Sequence, residues 1–227
     1  MPPPPPRIAL IHATALAVTP VAAAFERHWP QAQRMNLLDD SLSVDRAKAG
    51  QLTDAMVQRF IDLARYAKGT GCNAILFTCS AFGPAIEAAG QEVGLPTLKP
   101  NEAMFEQALE KCEASGGKLG LIATFQASIP SMSDELLQMV QRRGITIELR
   151  SAFVPEAMQD LADGRVAEHH RKVAVAAQQL AGCDVVMLAQ FSMADAQPLV
   201  QQALACPVLS SPDCAVLALQ RKVADGA

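Results

Sequence analysis

Residues 71–77 read GCNAILF, and residues 182–188 read GCDVVML. Each begins with a turn-forming glycine and ends in four apolar residues that suit a strand buried on both faces. The two segments lie 111 positions apart. The same shift carries RIALI at 7–11 onto KLGLI at 118–122, and PTL at 96–98 onto PVL at 207–209. It also lays the helical pattern that begins near Leu52 over the one that begins near Asp163. Short apolar strands resemble one another by chance, but one gapless offset through three separated regions points to an internal duplication.

Strand-like runs begin at Ile8, Gln33, Asn73, Lys118, Ile145, Asp184 and Pro207, and helical patterns fill 17–28, 51–68, 83–92, 101–115, 131–143, 165–181 and 194–205. This alternation predicts βαβ units and parallel sheets. The runs are apolar throughout, as expected where helices cover both faces of a sheet. The expected fold is therefore α/β: two similar lobes with parallel sheets flanked by helices, related by duplication about a pseudo-twofold axis. Ligands bind beyond the carboxyl ends of such strands, which places the expected active site in the interlobe cleft. The expected boundaries are a disordered proline leader at 1–6, a first lobe at 7–100 plus 211–227, and a second lobe at 101–210.

Composition narrows the classes of function. The net charge is −4 and no basic cluster is long enough to track phosphates, so nucleic acid is not an expected partner. No apolar run reaches the roughly 18 residues of a membrane span. MPPPPPRIALIHA carries no basic leader before an apolar region, so no signal peptide is expected. The expected location is the cytoplasm, where six cysteines stay reduced. There is no C-x-x-C pair, and the four histidines are not spaced for zinc, so no metal is expected.

The first apolar run stops at FTCSAFG, residues 77–83. Cys79 stands there between the hydroxyls of Thr78 and Ser80, ahead of a helical pattern. A free cysteine is usually a small buried hydrophobe, and Cys72, Cys112, Cys183, Cys206 and Cys214 are read that way. For Cys79, the unpaired N–H groups and positive dipole of a following helix predict a lowered pKa and a reactive thiolate. The same groups could hold a substrate carboxylate. A tyrosine-phosphatase loop would need arginine at Ala85, and a thioredoxin site would need cysteine at Phe82. His12, at the end of the first strand, leaves a Cys–His pairing open. SGGKLG, at 115–120, opens a strand rather than a helix, so no nucleotide-binding loop is expected. The repeat lays Thr78, Cys79, Ser80 and Ala81 over Ala189, Gln190, Phe191 and Ser192, so Cys79 and Gln190 are expected to face each other.

On ILFTCSAFG, GLIAT at 120–124, VVMLAQFSMA at 185–194 and CPVLSSP at 206–212, the chain resembles the aspartate/glutamate racemase superfamily, which includes hydantoin racemases, maleate isomerases and arylmalonate decarboxylases. The resemblance covers nearly all of the chain after the prolines. It implies two lobes with a cleft, and acid/base chemistry without a cofactor or metal, in which one cysteine from each lobe flanks the substrate α-carbon. Cys79 takes the first cysteine position. Gln190 takes the second, where an amide cannot exchange protons near neutral pH. The resemblance therefore implies a cysteine acid/base enzyme acting next to a carboxylate, as a racemase or isomerase. The alternatives are a single-cysteine decarboxylase of malonate-type substrates and a non-catalytic carboxylate-binding protein.

Cys79 is the expected catalytic residue, and Thr78, Ser80, Gln190, Ser192, Thr124, Gln126 and His12 are the expected substrate-binding residues. For Ser192 a helix N-cap is an equal reading. Thr124, Gln126, Ser128, Ser210 and Ser211 suit caps or turns equally well. Asp39 and Asp40 read as surface turn residues that could otherwise meet a cationic substrate group, and His169 and His170 read as solvated. The expected partners are a small carboxylate substrate and a second copy of the chain in a homo-oligomer; membrane is not among them.

Overall fold

The computed structural model describes residues 4–112 and 117–225. The first half of the expected proline leader, the end of the helix expected to reach 115, and Ser115–Gly116 of SGGKLG lie outside the described residues. The chain divides into two compact units, Met1–Pro100 with Pro212–Ala227, and Asn101–Ser211. Among the described residues, no helix is long and apolar enough to cross a membrane.

The first unit contains β1 (Arg7–His12), α1 (Val18–His28), β2 (Gln33–Leu38), α2 (Ser41–Ala49), α3 (Asp54–Gly69), β3 (Ala74–Phe77), α4 (Gly83–Val93) and β4 (Thr97–Leu98). The second contains α5 (Glu102–Cys112), β5 (Lys118–Ala123), α6 (Ser128–Arg143), β6 (Glu148–Phe153), α7 (Ala157–Ala162), α8 (Val166–Ala177), β7 (Val185–Leu188), α9 (Gln197–Ala203) and β8 (Val208–Ser210). All but the first residue of α10 (Ser211–Asp225) belongs to the first unit.

Both sheets are parallel and have the same strand order, β2-β1-β3-β4 and β6-β5-β7-β8. Their registers keep the offset read from the sequence. Ile8 pairs with Ala74 as Leu119 pairs with Val185, and Ile75 pairs with Thr97 as Val186 pairs with Val208. The offset breaks in one place. Arg7 pairs with Gln33, 26 residues on, whereas Lys118 pairs with Glu148, 30 residues on. The additional residues lengthen the helix between them, which has 11 residues in α1 and 16 in α6.

That longer helix corrects one expected strand. ITIEL suggests a strand from Ile145, but α6 runs to Arg143 and ends on Gly144 at φ 65°, so β6 begins only at Glu148. The expectation of uniformly apolar strands also fails at the sheet edges. The central strands β1, β3, β5 and β7 are buried almost throughout, while β2 and β6 are largely exposed. An edge strand has only one neighbour, and helices cover it incompletely. Three helices went unforeseen: α2, α7 and α10.

α3 shows how local sequence positions the first unit's strand ends. The Thr53 side chain caps the helix by accepting the Met56 N–H at 3.3 Å. Met56, Phe60, Ala64 and Ala67 then recur on one face and are buried. Phe60 stacks on Phe77 and Phe82, with ring centroids 5.2 and 4.8 Å away. These two rings hold both ends of the connection from β3 to α4. Phe60→Ala would remove that brace at a cost of about 3–5 kcal/mol.

Candidate functional site

Cys79 lies in the five-residue connection 78–82 between β3 and α4, beyond the carboxyl end of a central strand. Its thiol is 7% exposed and donates to the Ile11 carbonyl at 3.7 Å. Burial pushes the thiol pKa up to about 12. The Ala13 N–H favours the thiolate but does not offset that burial, and the Asp39 carboxylate adds to the rise. The thiolate expected from sequence is thus corrected. The residue stands four positions before α4, where loss of water outweighs the helix dipole, and it rests as a protonated thiol.

His12 ends β1 and is fully buried. Its Nδ1 lies 2.9 Å from Thr78 Oγ1, and its Nε2 lies 2.9 Å from Asn36 Oδ1. The Asn36 oxygen can only accept, so Nε2 carries the proton and Nδ1 accepts from the Thr78 hydroxyl. Burial holds the imidazole below its ordinary pKa, with the Asn36 bond acting in the opposite direction. His12 therefore orients Thr78 from beneath and is closed to direct contact. Thr78 and Ser80 are 5% and 8% exposed beside the thiol.

Sequence reasoning missed Arg46. It lies on α2, is 8% exposed, and places Nε 3.4 Å from the Ala81 carbonyl of the Cys79 connection. Its Nη1 is buried with no hydrogen-bond partner among the described residues. α2 is also tied down by Ser43, whose hydroxyl donates to the Ala13 carbonyl at 2.7 Å. Asp39 does not reach for a ligand: its carboxylate takes Arg59 and Ser41, with Ser41 Oγ at 2.7 Å. Asp40 is exposed at the start of α2.

In the second unit, Gln190 follows β7 as Cys79 follows β3. Its Oε1 accepts the Thr124 N–H at 2.8 Å and the Thr124 hydroxyl at 3.2 Å. Its Nε2 donates to Ser128 Oγ, and the Ser128 hydroxyl donates to the Phe125 carbonyl at 2.6 Å. Ser192 is 7% exposed inside the 3₁₀ segment Phe191–Ala196, which Gln190 precedes, so Ser192 caps no helix. Gln126 is exposed. Ser211 is buried and donates to Asn101 Oδ1 at 2.6 Å. His169 is fully buried rather than solvated, with Nδ1 2.8 Å from the Ala157 carbonyl, because α7 folds back over the start of α8. His170 is half-buried.

The other cysteines likewise form no disulfide among the described residues, and burial raises the pKa of each, that of Cys214 to about 11. Among the described residues, no group of three or more His, Cys, Asp or Glu side chains is placed to hold a metal ion.

The sequence pattern of the Asp/Glu/hydantoin racemase family matches residues 8–150, well over half of the chain. No curated protein matches the chain in sequence. Among solved structures, the glutamate racemase isoform RacE1 from Bacillus anthracis is similar, with TM-score 0.73 and 18% identity over 98% of this chain and 83% of that one. A glutamate racemase from Francisella tularensis, solved in complex with D-glutamate, gives 0.73 and 16% over 98% and 82%. An unliganded arylmalonate decarboxylase gives 0.56 and 19% over 98% and 94%. At these identities the likeness is one of fold.

Proposed function

The chain belongs to the Asp/Glu/hydantoin racemase family, and we propose that it transfers a proton at the carbon next to a substrate carboxylate, with Cys79 as the acid. The observation that carries this reading is the Cys79 thiol itself: held protonated by burial, yet met by the Ala13 N–H, which would stabilise the thiolate once the proton has left. Arg46 supplies the cation. Its buried, unpartnered Nη1 beside the same connection is suited to a substrate carboxylate.

The resting thiol and the amide at position 190 favour protonation from one side over two-sided exchange. A decarboxylation of a malonate-type substrate needs only that. The bond from the α-carbon to one carboxylate breaks and CO₂ leaves. The electron pair stays on the α-carbon, spread into the remaining carboxylate. Cys79 delivers its S–H proton to that carbon, and water returns a proton to the thiolate. The racemase reading requires a second group to take the α-proton.

Turnover in D₂O distinguishes these. With α-aryl and α-alkyl malonates, the expected product carries one deuterium at the α-carbon and is a single enantiomer, and Cys79→Ala loses the activity by about 10²–10⁴-fold. Near-native turnover in Cys79→Ala would show that the acid lies elsewhere. Racemisation of a single-enantiomer amino acid, with deuterium in both hands of the product, would favour the racemase.

A further inference from the structure

We infer that Gln190 is a fixed hydrogen-bond donor to a substrate oxygen, a carboxylate or the enolate that develops from it, through the one amide hydrogen that has no partner among the described residues. This deepens the proposed reaction and rests on it only for the identity of the ligand. The orientation of the amide is forced. The Thr124 backbone N–H can only donate, so the atom 2.8 Å from it is the Gln190 oxygen. The Thr124 hydroxyl reinforces that choice at 3.2 Å. On the other side, the hydrogen bonds run in one direction, from Gln190 Nε2 to Ser128 Oγ and from the Ser128 hydroxyl to the Phe125 carbonyl.

A carboxamide nitrogen carries two hydrogens, and Ser128 takes one. The second belongs to a half-buried side chain that its neighbours cannot rotate freely. A donor held in place before the ligand arrives needs no reorganisation as negative charge develops, which is how oxyanion donors act. The repeat supports a dedicated cage. Positions 111 earlier than Thr124, Ser128 and Gln190 are Ala13, Ala17 and Cys79. Neither alanine has a side-chain polar group, so the two hydroxyl side chains that orient the amide occur together in the second half alone. An amide merely left where a thiol once stood would not need two further hydroxyl side chains to fix it.

The native, isotope-labelled chain carries the main readout of the test. Malonate is titrated while the two side-chain amide protons of Gln190 are followed by ¹⁵N-resolved NMR, their signals assigned by their loss in Gln190→Glu. The proton not engaged by Ser128 should move downfield and saturate, and the other should move far less. Thr124→Val should weaken malonate binding about tenfold, as expected for one loosened bond to a charged group. A Gln190 signal that stays still overturns the inference, whether or not malonate binds elsewhere. The readout is an equilibrium shift on Gln190, so it stands or falls separately from Cys79 turnover.

Discussion

Thr124 gives its backbone N–H to Gln190 at 2.8 Å, and the residues 111 positions earlier repeat the relationship, with the Ala13 N–H directed at the Cys79 sulfur. In one unit the acceptor is a thiol that can lose and regain a proton. In the other it is an amide oxygen that cannot. The two halves thus share a backbone arrangement and differ in the chemistry placed on it.

The state of Cys79 makes its reactivity depend on pH in a defined direction. Its folded pKa is raised from 9.0 to about 12, so the thiol is the favoured form in the native protein. Its contribution to stability is complete below pH 9 and is lost as pH climbs from there toward 12, because the unfolded thiol ionises first. Alkylation by iodoacetamide proceeds through the thiolate. The rate at Cys79, followed by peptide mass spectrometry, should rise about tenfold per pH unit from neutral to beyond pH 9 without levelling. A plateau near pH 7 would show a stabilised thiolate and reverse the assignment of Cys79 as an acid.

Arg46 separates binding from stability. A buried guanidinium with an unpartnered Nη1 loses hydration that the fold does not replace. Arg46→Met keeps the stem and removes the charge, so the melting temperature should hold or rise. Malonate affinity should fall about ten- to a hundredfold, the equivalent of about 1.5–3 kcal/mol for a hydrogen bond to a charged group. Calorimetry on both proteins reads the two quantities together. Unchanged malonate affinity would remove Arg46 from the site.

His12 should make stability sensitive to acid. Its folded pKa lies below 6.5 because it is buried, so the unfolded chain binds a proton that the native one refuses. The stability is fully present above pH 6.5 and declines as pH falls below it. His169, buried on α8, shifts in the same direction. Urea unfolding between pH 7.5 and 5 should show a shallower pH dependence in His12→Gln than in the native protein, whatever the offset between the two. Parallel curves would mean that His12 does not titrate in this range.

The strands of the fold were readable because the duplication is nearly gapless where strands lie. Gly71 and Gly182 open matching turns at φ 77° and 90°, and the apolar runs after them have no alternative to burial. α2 was not readable. SLSVDRAKA buries only Leu42 and Arg46, and the helix is held by long-range pairs, Arg59 with Asp39 and Asp45, that no local pattern contains. Arg46 was hidden with it, since a basic residue in a weak helix looks solvated. His169 was misread for a related reason: the turn that brings α7 over it is set by Asp160 with Arg165 and Lys172, not by periodicity. The cage around Gln190 left a faint trace in the paired change from Ala13, Ala17 and Cys79 to Thr124, Ser128 and Gln190, but only the folded chain brings Thr124 and Ser128 onto the two ends of the Gln190 amide.

The amide at position 190 yields the sharpest stereochemical test of the proposed reaction. A positioned acid/base group typically contributes about 10²–10⁴-fold, and at neutral pH an amide contributes none of it. With only Cys79 exchanging protons, the α-carbon of a product should take deuterium from D₂O on one face. Gln190→Cys would give the second unit an exchangeable group on the same backbone N–H that now serves Oε1. Ser128 and Thr124 would lose their amide partner, so this variant should be slightly less stable while gaining a function. The expected outcome is slow racemisation of a single-enantiomer product in Gln190→Cys, with deuterium entering both hands, and none in the native protein or in Gln190→Ser. Chiral chromatography coupled to mass spectrometry reads both the handedness and the label. If the native protein already scrambles the product, a second exchanging group exists besides Cys79. If Gln190→Cys folds, binds malonate and remains strictly one-handed, position 190 is not the counterpart of Cys79 in the chemistry, and the repeat relationship is one of architecture alone.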